Sequence, residues 1–340
     1  MPEPIQAYKL SVRDGKLYNF GQRYRINGLG LYFIWERKLG DPVLHQIFRF
    51  LSQHGINMIR VFALSRFLEV EIRAAKLYEW QFYRRIEGGY DIWGKKNQEW
   101  LNYIQRFCSL AGKYKIAVQI VFGEHCGFKQ YNTNNYGWNR HPWNKKNAIG
   151  GDGFHYDGNQ FFEWARNTPR LNNLWQILIQ EVVNACGRVG NCIWELTNEA
   201  PASSDSEVSN WLLRAETWIT SQLERLSLNV KPVFADSSDQ RTFPHDHIYW
   251  EHIGFKHPQQ GGMISTDGKR YNQFSEHDIK NMSIHYKNHD IDLETHMAFL
   301  SKKPDINGNP EDIGAYLWFG RSATIEDWQT HIGPYLNMIK

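Results

Sequence analysis

Short apolar runs alternate along this chain with longer stretches whose apolar residues recur at helical spacing. Arg25 to Ile34 (RINGLGLYFI) predicts a strand. Asp41-Pro42 then offers an N-cap and a first-turn proline, and Val43, Leu44, Ile47, Phe48 and Leu51 mark one face of a helix that Gly55 stops. Ile56 to Leu64 predicts the second strand, Asn97 to Lys113 a helix, and Ile116 to Phe122 (IAVQIVF) a third strand. Pro169 to Val189 predicts a helix, Asn191 to Leu196 a strand, about 207–227 a helix and Lys231 to Asp236 a strand. Asn281 to Tyr286 predicts a further strand and Leu293 to Leu300 a short helix. Residues 240–275 carry no clear period, 302–319 read as strand or loop, and a helix starts near Ile325.

Alternating short apolar strands and amphipathic helices mean a parallel sheet covered by helices. No G-x-G-x-x-G follows the first strand and no G-x-x-x-x-G-K-[ST] occurs, so a nucleotide-binding open sheet loses its best support. The expectation is an α/β fold, a (β/α)8 TIM barrel, in one domain over 1–340. It looks incomplete at the C-terminus, because an eighth strand is not found unless Ala315–Phe319 (AYLWF) supplies it. Residues 1–24 predict a hairpin at the barrel bottom, and 66–96 and 123–167 predict cleft-forming insertions.

Composition narrows the function classes. Thirty-nine basic against 36 acidic residues leave a net charge of +3, too even for a nucleic-acid partner. No apolar run reaches the roughly 18 residues of a membrane span, so no membrane partner is expected. The first residues show no signal peptide, and a cytoplasmic location is expected by default unless the start is trimmed. Cys108, Cys126, Cys186 and Cys192 form no C-x-x-C pair and are expected as reduced, mostly buried thiols. Aromatics make up 15% of the chain. Trp and Tyr fill cores, but they also cover the apolar faces of sugars, which puts carbohydrate on the list.

In a barrel, polar residues at strand C-terminal ends build the site. Here those ends offer Tyr32, Trp35, Arg60, Glu124, His125, Asn198, Glu199, Asp236, His285 and Tyr286. The segment Ile193 to Pro201, WELTNEAP after its first residue, resembles the fourth strand of the clan A glycoside hydrolases, the cellulase- and mannanase-like barrels. Theirs reads W-E-L-x-N-E-P; here Ala200 stands before the proline. Asn27-Gly28, Gly55 to Arg60 (G-x-N-x-x-R) and Ser283 to Tyr286 resemble further motifs of that clan, in the same order.

The resemblance implies a retaining glycoside hydrolase acting on a β-linked oligo- or polysaccharide through two glutamates. No cofactor is expected, and the histidines show no tight His/Asp spacing that would point to a metal. Glu199 would be the general acid/base, and Asn198 would bind the sugar 2-hydroxyl. Arg60 would hold the nucleophile ionised, with His125, His285, Tyr286, Trp35 and Trp318 lining the substrate. The nucleophile position falls in Lys303 to Gly314, where Glu311 is the one glutamate, two residues later than the clan's usual spacing, with Asp312 the alternative beside it. Glu195, inside the strand, reads as a structural partner of Arg60 or of a backbone amide. A displaced Glu311 and a missing strand leave room for an alternative, an inactive or weak barrel that binds glycans. An aldolase or phosphate-ligand barrel would need a Schiff-base lysine or a Gly-rich phosphate loop, and neither is seen.

Overall fold

The computed structural model describes residues 8–13, 16–32, 34–35, 38–64, 82–128, 137–155, 163–198, 206–228 and 231–237, together with the backbone of short strands at 247–249, 251–253, 263–264, 270–271, 292–294, 297–299 and 313–318. The chain opens with a meander of β1 (Leu10–Arg13), β2 (Lys16–Asn19) and β3 (Gln22–Arg23). Phe20 and Gly21, both at positive φ, make its second turn.

The main sheet is built from β4 (Asn27–Tyr32), α1 (Asp41–Gln53) and β5 (Met58–Phe62). A hairpin of β6 (Tyr83–Ile86) and β7 (Gly89–Lys96) intervenes. Then come α2 (Gln98–Lys113), β8 (Ala117–Glu124), α3 (Pro169–Cys186), β9 (Cys192–Asn198), α4 (Ser206–Arg225) and β10 (Phe234–Ser237). Three more strands follow: β11 (His247–Tyr249), β12 (Asp292–Glu294) and β13 (Ile313–Trp318).

The strand order is β11-β10-β9-β8-β5-β4-β13-β12. From β4 to β11 each strand lies parallel beside its predecessor, and β13 returns to pair parallel with β4. A doubly wound sheet reverses its order at an internal switch point. Consecutive winding with the last parallel strand back beside the first is the winding of a (β/α)8 barrel. β13 covers most of the AYLWF run, so a strand beside the first one is present in the chain. β11 falls inside the stretch that carries no clear period. Leu293 to Leu300 differs from the expected helix: its described backbone is extended in β12 and in Met297–Phe299. The predicted strand at 281–286 lies outside the described residues.

Side-chain alternation divides the barrel interior from the helix layer. Ile59, Val61, Val118, Ile120, Phe122, Trp194 and Leu196 join the core shared with the buried faces of α1 to α4. Met58, Ala117, Ile193 and Val233 face the other way and meet Tyr8, Leu10 and Leu17 of the meander and Ile26 in a second cluster. The meander thereby covers the N-terminal end of the strands. Burying each such aliphatic side chain contributes about 1.5–3 kcal/mol.

Local signals explain the helix ends. α1 starts one residue earlier than its pattern suggests: Gly40 is the N-cap, and Asp41 sits in the first turn with a 2.7 Å ion pair to Arg106. Asn97 caps α2 by accepting from the Trp100 amide. Gly55, at φ +78°, lets the chain leave α1 in a left-handed conformation. Asn57 then ties β5 to β4, its Oδ1 accepting from the Asn27 amide at 2.8 Å and its Nδ2 donating to the Arg25 carbonyl at 2.6 Å.

Candidate active site

Inward-facing positions become polar one layer above Met58, Ala117 and Ile193. Arg60 of β5, Gln119 of β8 and Glu195 of β9 are each two residues further along their strands, and all three are completely buried. Gly30, the register partner of Arg60, has no side chain to compete for this space. The Arg60 Nε donates to Glu195 Oε2 at 2.5 Å, and Nη2 donates to Glu195 Oε1. Gln119 Nε2 donates to the same Oε2 at 2.5 Å. Arg60 Nη2 also donates to Asn198 Oδ1 at 2.7 Å.

A buried guanidinium and carboxylate are tolerable only when paired and hydrogen-bonded, and this set supplies both conditions. The fork geometry of arginine matches both carboxylate oxygens, which a lysine could not do. With its Oδ1 held by Arg60, Asn198 has its amide orientation fixed at the C-terminal end of β9. The resemblance assigns Arg60 to a nucleophile; the structure shows its guanidinium engaged with Glu195 and Asn198.

The remaining expected site residues divide in three. His125 begins a short helical turn directly after β8, and the Trp318 backbone pairs with Tyr32 at the C-terminal end of β4. These two stand with Asn198 at the same end of the sheet. Glu199, the residue after Asn198, lies outside the described residues, as do Glu311, His285 and Tyr286. Ile313, two residues after Glu311, pairs with Asn27 at the N-terminal end of β4, the end of the sheet away from Asn198.

Trp35 requires a correction. It is 1% exposed and packs edge-on against Trp100 at 5.6 Å and Phe107 at 5.9 Å. Its ring belongs to the helix-layer core and presents no face to a sugar. Where the 123–167 loop is described, its tryptophans also pack inward. Trp138, Trp143 and Trp164 are buried against Phe128, Trp175 and Trp211. Trp143 Nε1 donates to the Tyr83 hydroxyl at 2.8 Å, and Asn144 and Asn147 bond loop carbonyls. The Tyr90 amide donates to the Asn147 carbonyl at 2.7 Å and joins the hairpin to the loop. These tryptophans and asparagines hold the loop together.

Burial drives the His141 pKa down to about 3, so its ring is neutral, and Nδ1 accepts from the Trp143 amide at 3.1 Å. Among the described residues no group of three His, Cys, Asp or Glu side chains is arranged to hold a metal ion. No described helix is long and apolar enough to cross a membrane.

Gln119 escapes a reading of the sequence by motif. Its signal is a single polar residue inside the otherwise apolar IAVQIVF, at the strand parity that faces the interior.

No family model and no curated protein matches the chain. Solved structures resemble its fold. An endo-1,4-β-mannanase from Rhizomucor miehei is 12% identical, with a TM-score of 0.45, over 78% of this chain and 65% of that one. A glycoside hydrolase family 5 mannosidase from Rhizomucor miehei is 15% identical, with a TM-score of 0.43, over 70% and 57%. A structure described as a glycoside hydrolase is 12% identical, with a TM-score of 0.42, over 82% and 53%. The chain thus spans about half to two thirds of the length of these proteins. The barrel assignment stands on the strand order itself.

Proposed function

We propose that this chain is a retaining glycoside hydrolase acting on a β-linked oligo- or polysaccharide, with Glu199 as general acid/base and Asn198 as the contact to the sugar 2-hydroxyl. The observation that carries this reading is the buried Gln119–Glu195–Arg60–Asn198 set. It anchors the last residue of β9 at the end of the sheet where barrel enzymes keep their sites, and Glu199 follows that residue directly. A fixed amide at this point suits a contact that strengthens as the glycosidic bond breaks. The site residues proposed with it are His125, His285, Tyr286 and Trp318. The whole chain, 1–340, acts as one domain in this reading.

The mechanism needs a second carboxylate, at about 5–5.5 Å from the first for retention. Glu311 is the candidate from sequence. The direction of β13, which begins two residues later at the far end of the sheet, weighs against it. The same observation favours a second reading, a barrel that binds glycans without cleaving them.

Aryl β-glycosides with good and poor leaving groups test the proposal. Glu199→Gln should lose most turnover on poor leaving groups and much less on activated ones, which need little protonation. Equal losses on both would remove Glu199 as the acid. Binding of a β-linked oligosaccharide by wild type, with no product from any of them, would establish the second reading. Glu311→Gln separates the nucleophile question: retained turnover places the nucleophile elsewhere, and loss with the fold intact returns it to Glu311.

A further inference from the structure

At the opposite end of β9 from Asn198, three thiols from three elements meet. Cys108 of α2, Cys186 at the end of α3 and Cys192 at the start of β9 are buried and carry free thiols. The Cys192 thiol donates to the Cys186 carbonyl at 3.5 Å and to Asn191 Oδ1, and the same Asn191 side chain donates to the Cys108 carbonyl at 3.0 Å. Six strand steps, about 20 Å, separate Cys192 from Asn198, so this cluster is no part of the proposed sugar site.

Cys192 differs from its neighbours in access. Cys108 and Cys186 are fully enclosed, whereas Cys192 is 8% exposed and lines a cavity of about 30 Å³ together with Gly187, Gly190, Trp194, Leu223 and Lys231. That volume admits one or two water-sized molecules. We propose that Cys192 is an oxidation site for small hydroperoxides reaching it through this cavity, and that Cys186 resolves the product into a buried disulfide.

The steps balance. The Cys192 thiolate attacks the peroxide oxygen; the O–O bond breaks, giving the Cys192 sulfenic acid and an alkoxide or hydroxide that takes a proton from solvent. The Cys186 sulfur then attacks the Cys192 sulfur, the S–O bond breaks, and the hydroxyl leaves with the Cys186 proton as water. The peroxide is the oxidant and the two thiols are the reductant.

Electrostatics act on Cys192 from several sides. The Cys108 and Cys186 thiols draw its pKa below the ordinary thiol value, against burial, while burial pushes both of theirs well up. The Cys186 carbonyl at 3.5 Å and the Asn191 Oδ1 at 3.8 Å accept from the neutral thiol and oppose its ionisation. Contact and access are therefore what the proposal stands on. Cys186 is the resolving partner because only residues 187–191 separate it from Cys192, with glycines at 187 and 190, whereas Cys108 is fixed within α2.

The test uses the full chain in a Cys126→Ser background. The folded protein is treated with hydrogen peroxide, quenched, alkylated after unfolding and digested with trypsin without reductant. Cleavage at Arg188 separates the Cys186 peptide, 171–188, from the Cys192 peptide, 189–214. The expected product is those two peptides joined by a disulfide, with far-UV circular dichroism unchanged. Cys192→Ser should abolish it and leave Cys186 alkylated. In Cys186→Ser the same peroxide treatment should leave Cys192 as the oxidised residue, with Cys108 alkylated as a free thiol. Three thiols untouched by peroxide until the protein unfolds, or a Cys108–Cys192 disulfide instead, would overturn the proposal.

Discussion

Arg60 and Glu195, 135 residues apart in sequence, form a fully buried ion pair inside the barrel, two strands away from each other across β8. Removing one partner leaves the other charge without compensation. Arg60→Met and Glu195→Leu should each cost about 3–5 kcal/mol, while the double variant should cost much less than their sum. Urea denaturation of the four proteins gives the coupling. Additive single effects would mean that the pair is not formed.

Gln119 holds the same carboxylate from the third strand. Gln119→Leu keeps the volume and removes one hydrogen bond to a charged group, a loss of about 1.5–3 kcal/mol. A change within about 0.5 kcal/mol, the range of ordinary surface substitutions, would show that Glu195 does not depend on Gln119.

Trp35 is a packing residue, and its test separates stability from affinity. Trp35→Ala should destabilise the fold by about 3–5 kcal/mol. Sugar affinity, measured by titration calorimetry well below the melting temperature, should not move. Lost affinity with unchanged stability would restore Trp35 to the cleft.

His141 makes stability fall with acid. Burial lowers its folded-state pKa from 6.5 to about 3, so between those values the unfolded chain binds a proton that the folded chain does not. The corresponding stability is present above about pH 6.5 and is lost as pH falls towards 3, at up to about 1.4 kcal/mol per pH unit. Burial raises Glu216 to about 6, which acts in the opposite sense between 4.5 and 6. The comparison of wild type with His141→Gln isolates the histidine. The slope of unfolding free energy between pH 6 and 4 should flatten in the variant; identical slopes would show that the ring is protonated in the folded state.

Much of this protein is determined by its sequence through short-range physics. Helical spacing at Leu44, Ile47, Phe48 and Leu51 and the continuous apolar run at 116–122 specify their elements, because burial periodicity is a property of neighbouring residues. The Gly55 turn, the Asn57 tie and the inward Arg60 follow from the G-x-N-x-x-R spacing, and Glu195 is readable as the partner of Arg60. Long-range placement belongs to the tertiary structure. No local pattern tells a tryptophan over a sugar from one packed on Trp100, since both need an apolar ring beside polar chain. Only the assembled layers decide that Trp35, Trp138 and Trp143 are interior. Gln119 gains meaning only once β5, β8 and β9 are in register around it. The meeting of Cys108, Cys186 and Cys192 depends likewise on how α2 and the end of α3 pack over the start of β9. The strand at Ile313–Trp318 is local, but its pairing with β4 joins residues far apart in the chain, through backbone hydrogen bonds that no sequence period encodes.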